Sequence, residues 1–158
     1  MDRKTFEKLE GNIYEENGLK PVENITLTFC KKEKIIEETF YHLKMVKKIN
    51  LSNNQLVELP INSFLGCFKV EMLSLSDNQI YILVQNQFAA LASLRKIDLS
   101  NNRINFVHKE AFKNLGSSVE MIDLSNNRLQ TMSEVTLLPL TGLQVRKISY
   151  FLHICLSF

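Results

Sequence analysis

The residues of this chain that could do covalent or metal chemistry are few and dispersed. Three histidines, His42, His108 and His153, stand far apart, and no Ser/His/Asp or Cys/His grouping accompanies any of them. The cysteines Cys30, Cys67 and Cys155 are odd in number and widely spaced, which argues against a disulfide framework or a zinc site. Neither G-x-x-x-x-G-K-[ST] nor G-x-G-x-x-G occurs, so no phosphate cradle is legible. Asp77, Asp98 and Asp123 could approach one another, but solvated surface carboxylates are the simpler reading. Two N-x-[ST] sequons, at Asn24 and Asn50, are acceptor sites for a glycan in a secreted chain. The expectation is therefore a protein that is not an enzyme and needs no cofactor or metal.

Bulk properties agree with a binding role and exclude other classes. The chain has 158 residues, 45% hydrophobic and 23% charged, enough for one folded core. Its net charge of +2 implies neither nucleic acid nor an acidic substrate as partner. Lys31, Lys32, Lys47 and Lys48 are interleaved with glutamates and read as a solvated face. The most apolar run, 148–158, is shorter than the roughly 20 residues a bilayer requires, so no membrane insertion is expected. The amino terminus MDRKTFEKLEGN lacks the apolar stretch of a secretory signal.

What organises the sequence is a repeat. VKKINLSNNQLVELPINSFLGC, VEMLSLSDNQIYILVQNQFAAL, LRKIDLSNNRINFVHKEAFKNL and VEMIDLSNNRLQTMSEVTLLPL superimpose, with a weaker copy, VENITLTFCKKEKIIEETFYHL, before them. Their starts at Val22, Val46, Val70, Leu94 and Val119 lie 24, 24, 24 and 25 residues apart. Ile49, Leu51, Leu73, Leu75, Ile97, Leu99, Ile122 and Leu124 alternate with polar residues, the period of a strand with one buried face. Each strand is too short to hide that face alone. Stacked coils would pair the strands in parallel, about 4.8 Å apart, around a continuous core.

Asn54, Asn78, Asn102 and Asn127 follow the strands, with Cys30 in the same place in the first copy. A carboxamide buried there can bond backbone groups of its own and adjacent coils and form a ladder. Phe40, Phe64, Phe88 and Phe112, then Leu137, mark a second apolar column on the returning side. Leu43, Leu91, Leu115 and Leu140 complete it, with Cys67 in register as a core residue rather than a reactive thiol.

These motifs resemble the 24-residue class of leucine-rich repeats, found in Toll-like receptors, Slit, chaoptin and small leucine-rich proteoglycans. "KIDLSNNRI" and "MIDLSNNRL" look most like chaoptin-type invertebrate cell-surface proteins. The resemblance covers most of the chain. It implies an α/β repeat fold: a curved solenoid of about five repeats, with parallel strands on its concave face and loops and short turns outside. It also implies an extracellular or cell-surface setting. The stretch 84–92 is too short for the long convex helix of ribonuclease-inhibitor-type repeats.

Residues 22–142 then form the solenoid, 1–21 a partial repeat or amino-terminal segment, and 143–158 a divergent hydrophobic tail. Thr5-Phe6-x-x-Leu9 resembles the end of a preceding repeat. The family's signal peptide and cysteine-rich caps are missing, which suggests a fragment or incomplete gene model of a larger protein. Between core positions the strands present Lys48, Asn50 and Ser52, then Met72, Ser74 and Ser76, then Lys96, Asp98 and Ser100, then Met121, Asp123 and Ser125. Of these, Lys48, Asn50, Met72, Ser74, Lys96, Asp98, Met121 and Asp123 are the expected contacts for a protein ligand or matrix component. The alternative role is structural, in matrix assembly by self-association. Just before the strands, Glu23, Lys47, Glu71, Arg95 and Glu120 alternate in sign and predict a modest ion-pair ladder.

At the carboxyl end the consensus fails after Leu143-Gln144. Arg146 falls where a buried Leu or Ile belongs, and no Asn follows Leu143. Two readings compete for this tail. One is a closing strand in which Ile148, Phe151 and Ile154 cover the last coil. The other is a translated intron starting at Val145-Arg146, which an in-frame donor site GTAAGA or GTAAGG encodes, and it predicts poor packing of 145–158.

Overall fold

A computed structural model describes residues 5–6 and 22–148. Its strands are β1 (Thr5–Phe6), β2 (Asn24–Thr26), β3 (Lys34–Ile35), β4 (Lys48–Asn50), β5 (Met72–Ser74), β6 (Ile82–Leu83), β7 (Lys96–Asp98), β8 (Phe106–Val107), β9 (Met121–Leu124) and β10 (Val145–Ile148). Six of them form one parallel sheet in the order β10-β9-β7-β5-β4-β2. Lys48 aligns with Met72, Met72 with Lys96, and Lys96 with Met121, so equivalent repeat positions lie side by side. Two-stranded pairs, β1 with β3 and β6 with β8, run along another side of the coils. The architecture is a parallel-strand solenoid, as the repeat requires.

The core follows the sequence columns. Ile49, Leu51, Leu73, Leu75, Ile97, Leu99, Ile122 and Leu124 are buried behind the sheet, each side chain contributing roughly 1.5–3 kcal/mol of transfer free energy. On the returning side Phe40, Phe64, Phe88 and Phe112 are fully buried and stacked, with ring centroids 5.7, 6.5 and 5.7 Å apart. Leu137 is only partly buried and ends that column without a ring. Gly66, at φ 87°, lets two coils approach closely: a Cβ there would lie 2.5 Å from the Tyr41 carbonyl oxygen. Short 3-10 turns at Gly116–Ser118 and Glu134–Thr136 take the place of a long outer helix.

A strand forms at the carboxyl end, as the closing-strand reading of the tail has it. The sheet does not stop at residue 142: β10 pairs with β9 over Val145↔Met121 to Ile148↔Leu124. Arg146 aligns with buried Ile122, yet it is exposed. Parallel pairing is a backbone property and tolerates an arginine that has no obligation to be dehydrated. Phe151 and Ile154 lie outside the described residues. At the other end Thr5 pairs with Lys34 and Phe6 with Ile35, also in parallel.

A column of left-handed residues turns the chain out of each strand: Asn53 (φ 57°), Asp77 (φ 55°), Asn101 (φ 53°) and Asn126 (φ 54°). Asn and Asp tolerate this region because their short polar side chains bond locally. The first coil places Phe29 there instead, at φ 56° and 75% exposed, so it bears the backbone cost with little burial in return. Phe29→Asn is expected to stabilise the chain by about 1 kcal/mol. The check is the urea midpoint, which should rise at unchanged slope.

Candidate functional site

The asparagine column lies at the centre of the coils. Asn78 Nδ2 donates to the carbonyls of Leu51 (3.0 Å), Leu75 (3.0 Å) and Ser76 (3.2 Å), while its Oδ1 accepts from Leu56 N (3.0 Å). Asn102 repeats this with Leu75, Leu99, Ser100 and Ile80 N. Asn127 does so with Leu99, Leu124, Ser125 and Ile104 N. Each carboxamide therefore closes its own turn and ties it to the preceding coil. Asn54 accepts from Cys30 N and Lys32 N and donates to Leu27 O, Leu51 O and Ser52 O.

Cys30 corrects the sequence reading. It is exposed, and among the described residues its thiol donates to Thr28 O within its own coil. A thiol is one weak donor and cannot reproduce the forked pattern of a carboxamide. Phe29 and Lys31 on either side of it both have positive φ. Cys67, in contrast, is buried in the Leu column and donates to Phe40 O. Burial pushes its thiol up to about 12, which leaves it protonated and unreactive.

The exposed face of the sheet encloses a hollow of about 520 Å³ lined in part by Lys48, Asn50, Met72, Ser74, Lys96, Asp98 and Met121. Register puts Lys48, Met72, Lys96 and Met121 in one row, with Asn50, Ser74, Asp98 and Asp123 in the next. Asn24 is exposed at the hollow's edge on β2. The second row is bound up in local structure. The Oδ1 atoms of Asn50, Asp98 and Asp123 accept the amides of Ser52, Ser100 and Ser125, each at 3.0 Å. This Asx-turn column was missed in the sequence, although the [ND]-L-S spacing carries its signal.

Asp123 is a second correction: it is only 7% exposed and does not offer an open contact. β10 lies beside it, and Lys147 Nζ sits 3.3 Å from its carboxylate. Ser52 and Ser76 are also buried. Burial opposes ionisation of Asp123, but the hydroxyl and amide of Ser125 together with Lys147 outweigh it and hold the carboxyl below its usual value of 3.8.

The rim alternates in sign as its sequence implies, but it pairs only in twos. Lys47 bonds Glu23 at 2.8 Å, and Arg95 bonds Glu120 at 2.6 Å through Nη2 and 2.9 Å through Nε. The hydrogen bonds from Glu23 and Glu120 hold Lys47 and Arg95 above their usual values, and Glu71 adds a smaller push to both through space. No group of three or more His, Cys, Asp or Glu side chains among the described residues is arranged to hold a metal. His42 meets Tyr41 edge-on, and His108 Nδ1 accepts the Glu110 amide.

Comparison with known proteins decides the family. A leucine-rich repeat family model matches residues 20–80 and 92–145. The chain belongs to the leucine-rich repeat family. No curated protein matches it. Among solved structures, this leucine-rich repeat chain is similar to one in the Toll–Spatzle complex of Drosophila, with a TM-score of 0.76 and 21% identity over 91% of its length. It is also similar to a chain in the TLR13–ssRNA13 complex, with a TM-score of 0.65 and 22% identity over 75% of its length. It spans 20% of either chain. At such identities the likeness establishes the fold.

Two outcomes are expected from this geometry. Asn78→Ala or Asn102→Ala should destabilise by about 1–3 kcal/mol, because buried carbonyls and an amide lose their partner. Asn105→Ala, at an exposed position outside the ladder, should be near neutral in the same urea titration. Asp123 concerns acid stability. A depressed carboxylate stabilises the fold fully above its unfolded value and loses that contribution as pH falls from there through its folded value. Asp123→Asn, which retains the acceptor as Asn50 does, should flatten this part of the decline in urea midpoint below about pH 4.

Proposed function

We propose that this chain is a protein-recognition scaffold, part of a cell-surface or extracellular-matrix leucine-rich-repeat protein, and that it binds through the concave face of its sheet. The observation that carries this reading is a division of labour. Buried positions repeat from coil to coil, whereas those lining the hollow change: Lys48, Met72, Lys96 and Met121 in one row. A fixed frame with a variable lining is what recognition by a repeat scaffold requires. The similar solved structures are complexes, one with Spatzle and one with a single-stranded RNA. They support a binding role without transferring either ligand.

A second role, adhesion by self-association, draws on a different surface. Tyr41, Met45, Leu65 and Phe68 are each between 37% and 45% exposed on neighbouring coils, away from the sheet. In a secreted setting the exposed Asn24 would carry a glycan at the border of the hollow.

The test combines light scattering of the purified chain with a pull-down in which Met72, Lys96, Asp98 and Met121 are replaced together by Ala. Recognition through the hollow predicts a monomer and loss of the partner in the fourfold variant. Concentration-dependent self-association that the variant leaves unchanged would favour the adhesive role and overturn the concave one.

A further inference from the structure

The cations around the hollow are unequal. Lys47, Arg95 and Lys147 are each held by a carboxylate, from Glu23, Glu120 and Asp123. Lys48 and Lys96 are exposed and have no ion pair among the described residues. They occupy the same row two strands apart, with Met72 between them and Met121 beyond. Met72 is 39% exposed and Met121 is partly buried. The row thus reads ammonium, thioether, ammonium, thioether, one strand interval apart. Asp98 on this face lies one row over, and its Oδ1 already accepts from both the amide and the hydroxyl of Ser100.

Resting on the concave-face reading above, we propose that the occupant is an amphipathic helix of a protein partner lying across the strands. It would present acidic side chains at i and i+7 and apolar ones at i+3 or i+4 and at i+10 or i+11. The spacing selects this shape. Neighbouring strands stand about 4.8 Å apart, so the two lysines are separated by about 9.6 Å. A helix advances about 1.5 Å per residue, which places i+3 or i+4 about 5 Å along and i+7 about 10.5 Å along on the same side. An extended segment repeats its same-face side chains about every 6.7 Å and falls out of step by the second contact. Carboxylates at i and i+7 would meet the two free ammonium groups. Apolar side chains between them would meet methionines, whose unbranched thioethers adapt to irregular surfaces.

The full chain is titrated by fluorescence anisotropy with labelled synthetic probes. These are an alanine-rich helix carrying Glu and Leu at the stated spacings, its counterpart with Lys for Glu, a strand-forming peptide with Glu and Leu on alternate residues, and oligouridylate. The acidic helix should bind, and tightest of the four. The double change Lys48→Ala with Lys96→Ala should weaken it at least about tenfold, or roughly 1.4 kcal/mol. Met72→Ala should weaken it severalfold, and Lys113→Ala, on the opposite side of the coil, should not change it. Urea midpoints check that each variant remains folded. Tighter or equal binding of the strand-forming peptide, the basic helix or oligouridylate would overturn the proposal. So would absence of acidic-helix binding while the fourfold concave variant still loses its partner, and that result leaves the concave reading intact. Loss of the concave reading itself shows separately, as a pull-down indifferent to the fourfold change.

Discussion

The buried carboxamide that joins each coil to the one before it is the interaction on which the remaining structure depends. A coil of this length has a strand of three or four residues and loops with little regular hydrogen bonding of their own. Its turn would leave carbonyls such as Leu51 O and Leu75 O, and amides such as Leu56 N and Ile80 N, facing a dry interior. Asn78 and Asn102 satisfy them with two donor hydrogens and one acceptor. Because the acceptor and one donor contact reach the preceding coil, local satisfaction and coil-to-coil registration are one requirement. Once the register is set, the sheet, the phenylalanine stack and the leucine column follow at the same spacing.

That registration also gives the surface its character. Side chains one repeat apart become neighbours about a strand spacing apart, so a row across the coils samples positions distant in sequence. Rim charges of opposite sign meet as Glu23–Lys47 and Arg95–Glu120, exposed pairs whose contribution to stability is small. Their larger effect is on the hollow. They neutralise the cations next to it and leave Lys48 and Lys96 as the unpaired charges there among the described residues.

Much of this was legible in the residues. Period-two alternation in VKKINLSNN and its copies places Ile49 and Leu51 inward, and a constant repeat length forces parallel stacking. The phenylalanines at Phe64, Phe88 and Phe112 could be assigned to one column because nothing else in the repeat offers a comparable apolar volume at constant register. Cys30 was misplaced because pattern matching treats Asn and Cys as alternatives, whereas the forked hydrogen bonding that defines the ladder is available only to the carboxamide. Asp123 was misjudged because its exposure depends on whether another strand lies beside β9. A closing strand was one of two readings of the tail, and Arg146 at a core register spoke against it.

The sequence by itself determined the repeat, its period, the inward-facing columns and the family to which they belong. These are consequences of side-chain chemistry recurring at fixed intervals, which a linear reading captures. Only the tertiary structure decided which surface groups remain available. Asn50 and Asp98 are engaged in turns, Asp123 is covered beside Lys147, and Lys47 and Arg95 are paired, while Lys48, Met72 and Lys96 stay open to solvent. Accessibility and pairing depend on neighbours a whole repeat away, and those become neighbours only when the coils stack.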